Sequence, residues 1–128
     1  MKESDIQNKI RIALSPHGTF FRVNVGQAWT GTEIIRTEGG GVYIPQARPF
    51  DTGVPKGFSD LFGVVPMFIT PEMIGQRIGS AAFIEVKTKT GRVRQEQEKF
   101  LAFMRAKGCP AGIARSPEDA IKIIGGAI

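Results

Sequence analysis

The stretch "AAFIEVKTKTGR", residues 81–92, decides the fold. Its first half is rich in apolar and β-branched residues and reads as a strand over 81–88. Side chains alternate along a strand, so Phe83, Glu85 and Lys87 share one face while Ala82, Ile84 and Val86 share the other. A carboxylate and an ammonium therefore stand side by side in a segment that otherwise belongs to a core. Upstream, "GFSDLFGVVP" (57–66) poses the same question, since Asp60 opens an apolar strand over 58–65 that Pro66 ends. Asp60 shares a face with Phe62 and Val64, and pairing of this strand with 81–88 would let both acids and the lysine meet.

Working outward, Gly91 marks a turn and residues 93–107 read as a helix, closed by Gly108 just before Pro110. Val93, Phe100, Leu101 and Met104 form its apolar stripe. Gln97 falls inside that stripe, four residues after Val93 and three before Phe100, so it faces the sheet. "AGIARS" (111–116) is a short strand, and Ser116-Pro117-Glu118-Asp119 is a helix start with a Ser cap, Pro at the first helical position and acids in the first turn. Toward the N-terminus, residues 3–15 read as a helix ended by Pro16-His17-Gly18, with Ile6, Ile10, Ala13 and Leu14 at helical spacing. Glu3 lies seven residues before Ile10 and projects from the same face. A strand follows over 19–26, then a hairpin over 31–45 around Gly39-Gly40-Gly41 and a loop over 46–57. "MFITPEMIGQRIGS" (67–80) fits a strand end with a short helix or a loop. The order of elements implies an α/β fold, a mixed β-sheet flanked by helices, in a single domain spanning 1–128.

Composition narrows the chemistry. One cysteine (Cys109) excludes an internal disulfide and a Cys-rich zinc site, and one histidine (His17) argues against a His-built metal site or a Ser-His triad. Cys109 reads as a small buried apolar residue and His17 as an inert turn residue. No apolar run approaches the ~20 residues of a membrane span, and the acids in "MKESDIQNKI" argue against a signal peptide, so a cytoplasmic protein is expected. A net charge of +5 and a pI near 9.7 suit a polyanionic partner, above all nucleic acid.

Burying an unpaired amide or carboxylate costs several kcal/mol in order of magnitude, so inward polar groups call for a shared site. Each has a plainer alternative: an exposed ion pair for Glu85 and Lys87, a turn cap for Asp60, a bond to loop backbone for Gln97, and helix initiation for Glu3. Together they favour chemistry. Two carboxylates, Asp60 and Glu85, with the Val86 backbone carbonyl form an all-oxygen donor set that suits Mg²⁺ or Mn²⁺. Lys87 could orient or deprotonate an attacking water, or stabilise charge on a phosphorus centre. The sum is a site for phosphodiester hydrolysis that needs neither histidine nor cysteine.

Asp60, 24 intervening residues, then Glu85-Val86-Lys87 resembles the PD-(D/E)xK nuclease superfamily. That pattern alone recurs in strands by chance. With "GFSDLFGV", "AAFIEVKTKTGRVRQEQEKFLAFMRAKG" and "GIARSPEDAIKII", the chain resembles the VRR-NUC family in its small stand-alone form of phages and bacteria. The resemblance implies a restriction-endonuclease-like core and a metal-dependent DNA endonuclease. By that likeness Asp60 and Glu85 bind the metal with help from the Val86 carbonyl, Lys87 is catalytic, Gln97 positions the lysine or the water, and Glu3 matches an N-terminal helical acid. It also implies a homodimer cutting four-way (Holliday) junctions. Ser59 stands where the superfamily name has proline, a dispensable position.

Lys56, Lys89, Arg92, Arg94 and Arg22 are the candidate DNA contacts, giving salt-dependent affinity with little sequence choice. "KTKTGRVR" (87–94) carries four cations within eight residues and should lie beside the scissile phosphate. Trp29 and Tyr43 could wedge into a junction or stack on a base, or equally form an interface or minor core. A nuclease preferring flaps, nicks or single strands, and a non-catalytic DNA-binding module, are the competing readings; a sequence-specific restriction enzyme would need a base-reading subdomain for which this chain has little material.

Overall fold

The computed structural model describes residues 2–125, which form three α-helices and eight strands. The fold is α/β, as the alternation of apolar periods implied. Its strands pair two by two, in both directions: β1 (Thr19–Arg22) with β6 (Leu61–Val64), β2 (Gln27–Thr30) with β5 (Arg48–Asp51), β3 (Ile35–Arg36) with β4 (Val42–Tyr43), and β7 (Phe83–Val86) with β8 (Ala111–Ala114). The β2–β5 and β3–β4 ladders are antiparallel and β7–β8 is parallel. The strand that follows Asp60 thus has β1 as its partner, and the strand of Glu85 has β8, where the sequence had suggested that the two could pair with each other. The chain divides into two compact units, Met1–Ile12 with Phe20–Gly63, and Ala13–Thr19 with Val64–Ile128.

The first unit is assembled from short ladders. α1 (Glu3–Leu14) begins with acids that suit the positive end of a helix, and the Lys2 N–H donates to Asp5 Oδ2 at 3.2 Å. Its apolar residues Ile6 and Ile10 stay exposed, and Glu3 is exposed as well. The hairpin expected around the glycines is present: β3 and β4 flank a 3₁₀ turn, Glu38–Gly40, in which Gly39 takes φ 80°, and the Thr37 N–H donates to the Gly41 carbonyl at 2.9 Å. The region 46–57 contains β5 rather than loop alone. Trp29 lies opposite Pro49 in this ladder, which is two-stranded, so the missing N–H of Pro49 costs no central pairing. In β6, Gly63 admits the Phe20 ring to a position that any side chain would fill.

The second unit holds the core. Leu101 and Met104 of α2 (Gln95–Ala106), Ala111 and Ala114 of β8, Cys109 and Val64 are buried, Met104 with 0% exposure. α2 ends in a Schellman motif: the Cys109 N–H donates to the Met104 carbonyl at 3.1 Å, the Gly108 N–H to the Arg105 carbonyl at 2.9 Å, and Gly108 takes φ 91°. That turn delivers Cys109 into the core, in accord with its reading as a buried apolar residue. α3 (Pro117–Ile123) starts at Ser116, whose Oγ accepts the Asp119 N–H at 3.1 Å. Gly112 lets α3 lie close to β8, since a Cβ there would stand 2.9 Å from Ile123 Cγ1. α2 packs on the Phe83 face of β7, where the Phe83 and Phe100 rings meet edge to face at 5.5 Å. No helix among the described residues is long and apolar enough to cross a membrane.

Candidate functional site

β7 turns its charged face, not its apolar one, toward the helix that packs on it. Phe83, Glu85 and Lys87 are partly buried, while Ile84 and Val86 are exposed. The alternation that placed Glu85 beside Lys87 is therefore real, and it decides which face α2 covers.

Gln97 links helix to strand with both ends of its amide. Its Oε1 accepts the Arg94 N–H at 2.9 Å, which caps the first turn of α2, and its Nε2 donates to Glu85 Oε1 at 2.8 Å. Because Oε1 is committed to a backbone donor, the amide has one orientation, with its N–H directed at the carboxylate. This is the reason a glutamine occupies an inward helical position. Lys87 Nζ approaches the same carboxylate oxygen at 3.7 Å, with side-chain exposures of 16% for Lys87 and 33% for Glu85. Glu85 Oε1 is thus held from two sides, and Oε2 is the oxygen that could take a cation.

The ladder contributes a second oxygen. The Phe83 N–H donates to the Pro110 carbonyl and the Lys87 N–H to the Ala114 carbonyl, each at 3.0 Å. Parallel ladders use alternate residues, so Ile84 and Val86 turn their backbone groups to the opposite edge of β7. The Val86 carbonyl on that edge and Glu85 Oε2 are hard oxygen donors of the kind Mg²⁺ and Mn²⁺ select. Among the described residues no cluster of three or more His, Cys, Asp or Glu side chains is placed to hold a metal. An ion held here would rest on the Glu85 carboxylate and the Val86 carbonyl together.

Lys87 leads into a tight turn in which the Gly91 N–H donates to the Thr88 carbonyl at 3.2 Å. Lys89, Arg92 and Arg94, in and after this turn, are exposed. Arg115, just past β8, reaches the same turn: its Nη1 donates to the carbonyls of Thr88 at 2.6 Å, Gly91 at 2.9 Å and Lys89 at 3.3 Å. Nothing in the sequence singled out Arg115. Only the ladder register, Val86 opposite Ala114, places it beside Lys87.

The remaining candidates lie in the first unit. Asp60 is exposed, and its backbone carbonyl accepts the Val23 N–H at 2.9 Å, which anchors it at the start of β6. Glu3 is exposed in the first turn of α1 and Arg22 is exposed at the end of β1. Lys56 lines a cleft of about 600 Å³ with Asp51, Gln27 and Val54. Trp29 and Tyr43 are largely exposed, so neither forms a minor core. The structure gathers Glu85, Lys87 and Gln97 at one point and adds Arg115 beside them.

The α/β fold thus presents Glu85-Val86-Lys87 at the end of a strand, beside a helix-borne glutamine. The chain matches the family described as VRR-NUC domain over residues 1–118 of 128, and it belongs to that family. It is accordingly a nuclease-family protein with DNA as its substrate class. No curated protein and no solved structure matches it.

Proposed function

We propose that the protein is a Mg²⁺- or Mn²⁺-dependent endodeoxyribonuclease that acts on branched DNA, with four-way junctions as its substrate. Its working form is a homodimer, in the cytoplasm of a bacterium or of a phage host. The observation that carries this reading is the half-buried Glu85, fixed by Gln97 at 2.8 Å and flanked by Lys87 at 3.7 Å, with the Val86 carbonyl on the neighbouring strand edge. The ligands of the ion are Glu85, the Val86 carbonyl and, from the motif spacing, Asp60, with Glu3 as a further acid. A bound ion would acidify a water and neutralise charge on the phosphate. Gln97 keeps the Glu85 carboxylate in one rotamer. Lys87 orients the attacking water and supports the charge that grows on the phosphoryl oxygens as the P–O bond breaks. Lys89, Arg92 and Arg94 hold the flanking phosphates, with Lys56 and Arg22 as more distant contacts.

Symmetric cutting of a four-way junction needs two sites on a two-fold axis, which a C2 dimer supplies. The exposure of Met67, Phe68, Ile69, Ile74 and Ile78 between β6 and β7, with Phe68 at 94%, supports a face covered by protein. A second reading, a preference for single-stranded or flap DNA, draws support from exposed Trp29 and Tyr43, on which bases could stack.

The test is incubation with a mobile four-way junction, a flap and a linear duplex, each with and without Mg²⁺. Paired nicks in the junction that require Mg²⁺, and that Lys87→Ala abolishes with binding retained, are the expected result. Normal cutting by Lys87→Ala would overturn the assigned chemistry, and preferred cutting of flaps would replace the junction with the second reading. Sedimentation of the free protein reads the dimer independently.

A further inference from the structure

We infer that Arg115 is a positioning residue: its guanidinium fixes the turn Thr88–Gly91 and thereby holds Lys87 in the geometry that cutting requires. The inference rests on the nuclease reading above and adds a residue to it.

The chain of contacts runs from a helix cap to the lysine. Ser116 caps α3 by accepting the Asp119 N–H at 3.1 Å, and Asp119 Oδ2 accepts the Arg115 N–H at 2.9 Å. The two bonds lock the backbone where β8 passes into α3, so the Arg115 side chain leaves from a fixed point. One terminal nitrogen carries two hydrogens, so the contacts at 2.6 Å to Thr88 and 2.9 Å to Gly91 are its main bonds, and the 3.3 Å approach to Lys89 is shared. Bonds from a charged donor are about twice as strong as neutral ones, and these carbonyls belong to an exposed turn that has only the Gly91–Thr88 bond of its own.

The turn in its place bears on Lys87. The Lys87 N–H forms a ladder rung to Ala114, the residue before Arg115, at 3.0 Å. A Cβ at Gly91 would stand 3.0 Å from Thr88 Oγ1 and 3.5 Å from Lys87 Cβ, so the turn folds back against the stem of the lysine. Release of Arg115 would free the turn on one side of Lys87 while Glu85 still holds its ammonium on the other. Arg115 is exposed and packs in no core, so its loss should act on geometry more than on folding.

The experiment compares wild type, Arg115→Ala and Arg115→Lys in three measurements: amide exchange of residues 88–91, binding of a labelled junction in EDTA across a salt series, and single-turnover cutting with Mg²⁺. For Arg115→Ala we expect a melting temperature within about 4 °C of wild type, faster exchange at Lys89–Gly91, an unchanged salt slope, and a cutting rate lower by about 10- to 100-fold. Arg115→Lys keeps the charge without the planar fork and should recover less than half of that loss on a logarithmic scale. A cutting rate within twofold of wild type overturns the inference whatever the exchange shows. Weaker binding with a salt slope reduced by about one, at an unchanged single-turnover rate, makes Arg115 a phosphate contact and also overturns it. A wild type that cuts none of the DNAs fails the nuclease reading itself and takes the inference with it.

Discussion

The two compact units differ in how they hold their shape. All six buried apolar residues among those described, Val64, Leu101, Met104, Cys109, Ala111 and Ala114, belong to the second unit, and the first has none. The second unit couples a parallel strand pair to a helix on each face, with helix ends closed by Gly108 and Ser116. The first joins most of α1 to short ladders, with Trp29, Tyr43 and Phe50 exposed. A lysine that must be placed to within a fraction of an ångström is best carried by the packed unit. Exposed aromatic and basic side chains, as proposed for contacts to a large anionic ligand, would tolerate the looser one.

The largest expected effects test whether both units carry chemistry. Glu85→Gln and Asp60→Asn should each reduce Mg²⁺-dependent cutting by at least about 10³-fold, with melting temperatures close to wild type, because each removes one charge from the proposed ion site. Cutting rates and calorimetry on the same preparations check this. Asp60→Asn with normal cutting would confine the chemistry to the second unit.

Next in size is stability. Met104→Ala should cost about 2–5 kcal/mol, since it empties the most deeply buried position. Phe50→Ala, at a half-exposed site in the first unit, should cost about 1 kcal/mol or less. Urea denaturation of both variants sharpens the contrast, and equal losses would break it. Gly63→Ala should cost about 1–3 kcal/mol, because its methyl group meets the Phe20 ring near the stem of that side chain, where it cannot easily turn away. Here a loss of less than a few tenths of a kcal/mol would show that β1 and β6 pack more loosely than their glycine suggests.

The second unit was also the more legible in the sequence. Strand alternation put Glu85 and Lys87 on one face, helical spacing put Gln97 opposite them, and Ser116-Pro117 marked a helix start; all are local signals. The first unit was harder to read. "QARPFDTGVPKG" (46–57) looked like loop because of its two prolines, two glycines and mixed charge, yet a two-stranded ladder accommodates Pro49, and only the long-range partner Gln27–Thr30 makes Arg48–Asp51 a strand. Residues 23–26 read as the end of a strand, whereas β1 stops at Arg22 and Gly26 takes φ 127°. Arg115 was illegible for the same reason as β5. Its role depends on which strands lie side by side, and no local period encodes that.

The smallest effect separates the cap of α3 from the clamp it supports. Ser116→Ala removes the acceptor for the Asp119 N–H and should cost about 1 kcal/mol. Asp119 Oδ2 would still accept the Arg115 N–H, so the guanidinium keeps its point of departure and cutting should stay within about twofold of wild type. Asp119→Ala removes the acceptor for the Arg115 N–H and leaves the Ser116 cap in place, since its own backbone N–H remains. It should cost a similar amount of stability but slow cutting several-fold, because Arg115 then leaves from a backbone free to shift. Thermal denaturation and single-turnover rates measured on the two variants distinguish them. If Ser116→Ala slowed cutting as much as Asp119→Ala did, the helix as a whole, and not the bond to Arg115, would be what steadies the turn beside Lys87.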